Sequence, residues 1–159
     1  MRKIIFESSV SLDGFTEGPN GEMDWLVSDG EVGDVHGFVS VFDTIFYGRK
    51  AYERFGIPIS ANIEQTETQR EFSCTIHNMR KYFFSRTARH VAGNGMVVSE
   101  DLEGEVKRIR EEEGKNIWFF GGADILKTFA ALDLIDEYLL TVHPIILSSG
   151  KSLFAGMKK

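Results

Sequence analysis

Three apolar runs in this chain end in the same way. Ile45-Phe46-Tyr47 runs into Gly48-Arg49-Lys50, Tyr82-Phe83-Phe84 into Ser85-Arg86-Thr87, and Trp118-Phe119-Phe120 into Gly121-Gly122-Ala123. Short runs that are apolar without alternation belong to strands covered on both faces. Single helical patterns between such strands imply crossover connections, and crossovers make a sheet largely parallel. The chain is therefore expected to be α/β: one domain with a mostly parallel central sheet and flanking helices.

The rest of the pattern fits that frame. Residues 3–10 read as an opening strand, and residues 11–25 as a loop with three glycines and a Pro-Asn-Gly turn signal. Val32, Val35, Val39 and Phe42 recur at helical spacing, which predicts a helix from Glu31 to Phe42. Thr44 to Tyr47 is a strand, and Arg49 to Phe55 a short helix. Residues 56–69 are polar and weakly patterned. Lys81 to Phe84 and Met96 to Val98 are strands. Ser99 is placed to cap a helix that runs to about Glu113, with Leu102, Val106 and Ile109 on one face and Gly114 as the stop. Asn116 to Phe120 is a strand, Ala123 to Leu132 a helix, and Asp136 to Leu147 a long strand interrupted by Pro144. No repeat, linker or low-complexity tract divides residues 1–159.

Composition narrows the function classes. The net charge of −6 argues against nucleic acid as a partner. No run approaches the roughly 18 apolar residues of a membrane span. The N-terminus meets Glu7 too early for a signal peptide, so the expected location is cytoplasmic. Cys74 is the single cysteine, and His36, His77, His90 and His143 are scattered, so no metal is expected. Cys74 has no neighbouring base to activate it.

The chemistry is expected at the three strand ends, because ligands of open α/β sheets bind outside the carboxyl ends of the strands. Gly121-Gly122 lets backbone approach a pyrophosphate with no side chain between. The helix starting near Ala123 aims free N–H groups and a positive dipole end at the same place. Arg49 and Arg86 can fork onto phosphate oxygens, and Ser85 and Thr87 add hydroxyls. Neither G-x-G-x-x-G nor G-x-x-x-x-G-K-[ST] is present. Arg86 with no acid beside it favours the 2′-phosphate of NADP over the free ribose of NAD.

In order along the chain, SLDGF (11–15), EMDWL (22–26), YGRKAYE (47–53), FFSRT (83–87), FFGGADIL (119–126), LIDEYLLTVHPIIL (134–147) and GKSLF (150–154) resemble the dihydrofolate reductase-like superfamily. The likeness is closest to stand-alone relatives of the reductase half of bacterial riboflavin deaminase-reductases, and it covers nearly the whole chain. It implies a reductase that uses NADPH. Gly48 and Arg49 would meet the cofactor phosphates. Ser85, Arg86 and Thr87 would hold the adenosine 2′-phosphate. Gly121, Gly122, Ala123 and Asp124 would line the pyrophosphate, and the loop from Asp13 to Trp25 would border nicotinamide and substrate. The resemblance also implies a homodimer and a closing C-terminal hairpin that is missing before the chain ends at Lys159.

Dihydrofolate reductase proper carries a proton-delivering carboxylate on its first helix. The acids nearest by spacing are Asp29 and Glu31, and neither matches that position well; Asp13 and Asp29 are the candidate catalytic acids. Asp13 is also a natural turn residue before Gly14, and Trp25 is either a core aromatic or a lid over the substrate. The expected activity is hydride transfer to a small pterin- or aminopyrimidine-like heterocycle. A true aminopyrimidine reductase of riboflavin synthesis needs a second basic cluster for the substrate phosphate, and residues 13–25 contain no Lys or Arg. The alternative from another class is a nucleotide-binding or regulatory module without turnover.

Overall fold

β1 (Ile4–Ser11) buries Ile4, Ile5 and Phe6 on both sides, as an interior strand of a parallel sheet must. In the computed structural model, which describes residues 1–26, 35–53, 67–88, 90–91 and 93–157, five further strands join it. They are β3 (Phe42–Gly48), β4 (Arg80–Phe84), β5 (Gly95–Val98), β6 (Asn116–Phe120) and β7 (Glu137–His143). The order is β5-β4-β3-β6-β1-β7, and every pairing is parallel. A second, two-stranded sheet pairs β2 (Phe15–Glu17) with β8 (Lys151–Ser152) antiparallel.

Alternate side chains feed two cores. On one face Phe6, Phe46, Phe84 and Phe119 pack under Val106 and Ile109 of α4 (Leu102–Glu111) and Leu126 and Phe129 of α5 (Ala123–Ala131). Phe129 lies 4.3 Å from Phe119 between ring centroids and 5.1 Å from Phe84, so one helical residue clamps two strands. On the other face Ile5, Ile45, Tyr47, Phe83 and Trp118 pack under Val39 of α1 (Val35–Ser40) and Phe72 and Ile76 of α3 (Glu67–Asn78). Among the described residues no helix is long and apolar enough to cross a membrane.

The structure differs from the sequence pattern at several ends. Phe42 belongs to β3 rather than to the preceding helix. It reaches Phe38 and Trp118 from the strand, which preserves the spacing that looks helical. The expected helix start at 31–34 lies outside the described residues. α4 is capped by Asp101, not Ser99: Asp101 sits at φ 42° and its carboxylate accepts from the Gly104 N–H. α2 (Arg49–Ala51) opens the expected helix after β3, and residues 54 and 55 of that expected helix lie outside the described residues. α3 has no clear sequence signature, because mainly Phe72 and Ile76 turn inward from an otherwise polar helix. β7 stops at His143, just before Pro144, which cannot donate to a ladder.

The loop after β1 is tied down rather than open. The Asp13 carboxylate accepts from Ser11 Oγ at 2.7 Å and from the backbone N–H groups of Leu147 and Ser148 at 3.2 and 2.8 Å. Gly150, at φ +139°, is required where it crosses β2: a Cβ there would lie 2.1 Å from the Glu17 carbonyl oxygen. Leu153 follows, fully buried, with its N–H on the Gly14 carbonyl.

Candidate functional site

The ends of β3, β4, β5 and β6 enclose a cleft of about 300 Å³. Gly48, Arg49 and Lys50 line it after β3, Ser85 and Arg86 after β4, Ser99 after β5, and Gly122, Asp124 and Ile125 after β6. Four of the residues around it are basic: Arg49, Lys50, Arg86 and Lys151; the one acid is Asp124. A positive cleft in a chain of net charge −6 is a local design that attracts anions. A second depression, over Glu100, Asp101 and Glu105 with Arg108 as its cation, has the opposite balance.

The glycines of the corners have different reasons. A Cβ on Gly48 or Gly121 would lie 2.7 Å from Ile125 Cγ2, so both are small because α5 packs close. A Cβ on Gly122 would meet only Lys151 Nζ, at 3.7 Å. The backbone there, at φ −81° and ψ 173°, suits any residue. What an added methyl would fill at Gly122 is the cleft itself. Gly122 is also the N-cap of α5 and supplies no side-chain cap, so the first-turn amides are left for a ligand. Its amide nitrogen is 3.8 Å from the position a Gly48 Cβ would take, which sets two corners against each other.

The polar groups are placed to serve an anion. Ser85 Oγ accepts from the Thr87 and Ala88 N–H groups at 3.4 and 3.1 Å, which shapes the turn and leaves the hydroxyl proton free to donate. Arg86 is exposed on that turn. Arg49 is held toward Glu53 at 3.2 Å, one helical turn away. Lys151 Nζ reaches Asp124 Oδ2 at 3.4 Å across the mouth of the cleft. This donor set fits the phosphates of a dinucleotide: forked guanidinium groups, hydroxyls, and uncapped helix amides behind a glycine.

Of the residues expected at the site, Gly48, Arg49, Ser85, Arg86, Gly122 and Asp124 line one cleft. Thr87, Gly121 and Ala123 adjoin it without lining it; the Ala123 methyl is buried in the core. Asp13 and Trp25 are not part of the cleft. Trp25 is 8% exposed, donates its indole N–H to the Glu22 carbonyl at 3.2 Å, and packs edge-on to His143 at 5.5 Å. It is a packed aromatic. The Asp13 carboxyl is held below the usual carboxylate range, first by the Ser11 hydroxyl and then by the backbone N–H groups that tie the loop. Asp29 lies outside the described residues. Lys50, Ser99 and Lys151 were not foreseen. Lys151 arrives because β8 pairs with β2, a contact across more than 130 residues that leaves no local signal.

The sequence matches the RibD C-terminal domain family over residues 2–159. The uncharacterized protein YyaP of Bacillus subtilis (strain 168) is 39% identical over 158 residues, covering 99% of this chain and 83% of the relative. The uncharacterized protein YwjB of the same organism is 31% identical over 155 residues, covering 96% and 83%. Among solved structures, a protein from Shewanella sp. PV-4 provisionally assigned to riboflavin biosynthesis superimposes with a TM-score of 0.74 at 22% identity, over 100% of this chain and 86% of that one. A diaminohydroxyphosphoribosylaminopyrimidine deaminase/5-amino-6-(5-phosphoribosylamino)uracil reductase from Thermotoga maritima gives 0.67 at 16% identity, over 99% of this chain and 49% of that one. At these identities the structural likeness is one of fold.

Proposed function

The chain belongs to the RibD C-terminal domain family, and from that premise we propose that it is an NADPH-dependent reductase acting on a small pterin- or aminopyrimidine-like heterocycle. The observation that carries the reading is the cleft: four cations around an uncapped helix start whose Gly122 leaves room for a ligand and not for packing. Bound NADPH supplies the hydride. The chain's own part is to bind and orient. Arg86 with Ser85 holds the 2′-phosphate, and Gly122 with Arg49 and Lys151 holds the pyrophosphate. Asp124 keeps Lys151 in place. The absence of Lys and Arg from residues 13–25 favours an acceptor without a phosphate arm.

A second reading, a nucleotide-binding module without turnover, draws on the Asp13 carboxylate being fully used inside its loop. The two share the cofactor and differ in turnover. Calorimetric titration with NADPH and NADH, followed by NADPH oxidation at neutral pH with 7,8-dihydropterin and aminouracils as acceptors, tests both. The reductase reading expects NADPH bound in preference to NADH and oxidised with one of these acceptors. Equal or absent binding of the two nucleotides overturns it. The same proposal includes a homodimer.

A further inference from the structure

β1 holds a carboxylic acid where an interior parallel strand should be apolar. Glu7 follows Ile4, Ile5 and Phe6 directly and shares its face of the sheet with Ile5 and Trp118. Its position along the strand is the telling feature. β1 and β6 pair for three residues, ending at Phe6 opposite Phe119, and β1 then runs on to Ser11 paired with β7 alone. Glu7 is the first residue past the last β1–β6 pair. There the burial of β1 breaks: Glu7, Ser8 and Ser9 are partly exposed, although the strand continues. The two strands part beside Glu7, and an opening between strands is where a planar ring can enter a sheet.

That opening lies one strand beyond the cleft, whose lining residues include none from β1. The strand ends that line the cleft belong to β5, β4, β3 and β6, which are consecutive in the sheet, and the next strand along is β1. Neighbouring strands lie roughly 4.8 Å apart. Phe120, level with Glu7, immediately precedes Gly121-Gly122. A dinucleotide held by its phosphates on the Arg86 and Gly122 corners would extend along the strand ends toward β1.

Glu7 has the indole N–H of Trp118 beside it. The Trp118 Nε1–H is buried and, among the described residues, meets no acceptor at hydrogen-bonding geometry. Burial pushes the Glu7 carboxyl up to about 7, and the neighbouring Trp118 N–H opposes this only in part. From β6 the facing group is Trp118 and from β7 the paired residue is Leu139, neither of which carries charge. An acid in such surroundings is partly protonated at neutral pH and keeps a proton to give.

We propose that Glu7, at the point where β1 and β6 separate, is the proton donor that completes hydride transfer in this cleft. The inference rests on the reductase reading above. The step balances for an acceptor with a C=N bond. The hydride passes with its electron pair from the dihydronicotinamide carbon to the acceptor carbon. The C=N π pair moves to nitrogen, which takes the proton from the Glu7 carboxyl. Solvent then returns a proton to Glu7. The Trp118 N–H beside Glu7 holds the carboxylate that forms.

The test needs no known acceptor. A donor next to the reacting ring must sense the ring's charge, which is zero in NADPH and positive in NADP⁺. The Glu7 carboxyl is followed by carbon-13 NMR in the full chain with carboxyl-labelled glutamate, its resonance assigned by its absence from Glu7→Gln. The midpoint is expected near neutral pH in the NADPH complex and lower by at least about half a unit in the NADP⁺ complex. Identical midpoints in the two complexes, with NADPH binding intact, overturn the role of Glu7 and leave the reductase reading standing. Failure of the wild-type chain to bind NADPH overturns both.

Discussion

At the scale of single residues, glycines of one corner carry different burdens. Ile125 and Phe119 crowd Gly121, whereas at Gly122 only Lys151 Nζ comes within reach of an added Cβ. Gly122→Val is expected to leave the melting temperature nearly unchanged, because its backbone is extended and no protein atom crowds the new side chain. NADPH affinity, read by calorimetry, should fall at least about tenfold, since the valine fills the space before the helix amides. Arg86→Ala should cost about 1.5–3 kcal/mol of NADPH binding and little of NADH binding, the value of a charged hydrogen bond to the extra phosphate. Glu7 makes a prediction about stability alone. Its folded pKa of about 7 lies above its usual value of 4.5, so the folded chain binds more protons between these pH values. Stability is therefore lost as pH rises through this window. Glu7→Gln removes that penalty, and chemical denaturation should show it more stable than wild type by roughly 3 kcal/mol at pH 8 and nearly equal at pH 4.

At the scale of elements, the loop from Leu12 to Trp25 behaves as a fixed wall. Asp13 spans it to residues 147 and 148, β2 pairs with β8, and Trp25 plugs its end. Trp25→Ala should cost about 3–5 kcal/mol of stability in a urea melt, as large aromatic truncations do. A nearly unchanged melt with lost turnover would instead make this residue a lid. Legibility in the sequence followed the range of the interactions. The corners at Gly48, Arg86 and Gly122 were visible because each joins a strand to the residues that follow it. β6 was read correctly end to end, since its apolar run is closed by two glycines. α3 was invisible, because it needs few inward side chains and the opposing sheet supplies the rest. Lys151 and Glu7 were missed for one reason. Their places depend on which strand lies beside them: Lys151 on β8 meets β2, and β1 meets residues 117–119 and 137–143. A carboxylate in a strand looks like an exposed position until the neighbours on both sides are known.

At the scale of the whole molecule, β7 is an edge strand with Tyr138, Leu139 and Val142 about half exposed, beside Ile145 and Ile146. Edges of this kind are covered in folded assemblies. The proposed homodimer places a second copy there. Light scattering at micromolar concentration should give twice 17.9 kDa, and Val142→Lys should return the single-chain mass. A single-chain mass for the unaltered protein would remove the proposal.

The position of β1 between β6 and β7 also governs the order in which the protein can be made. Both partners of β1 lie more than a hundred residues after it in the sequence. β3, β4 and β5 can pair with one another long before that. During synthesis the nascent chain thus holds an apolar strand with two bare edges while more than a hundred residues are added. Contacts of such sequence separation slow folding, and unpaired strands invite association with other chains. Insertion of β1 between β6 and β7 then has to wait until both have been made. The parting of β1 and β6 beside Glu7 then exists only once β1 has been taken in between its two partners.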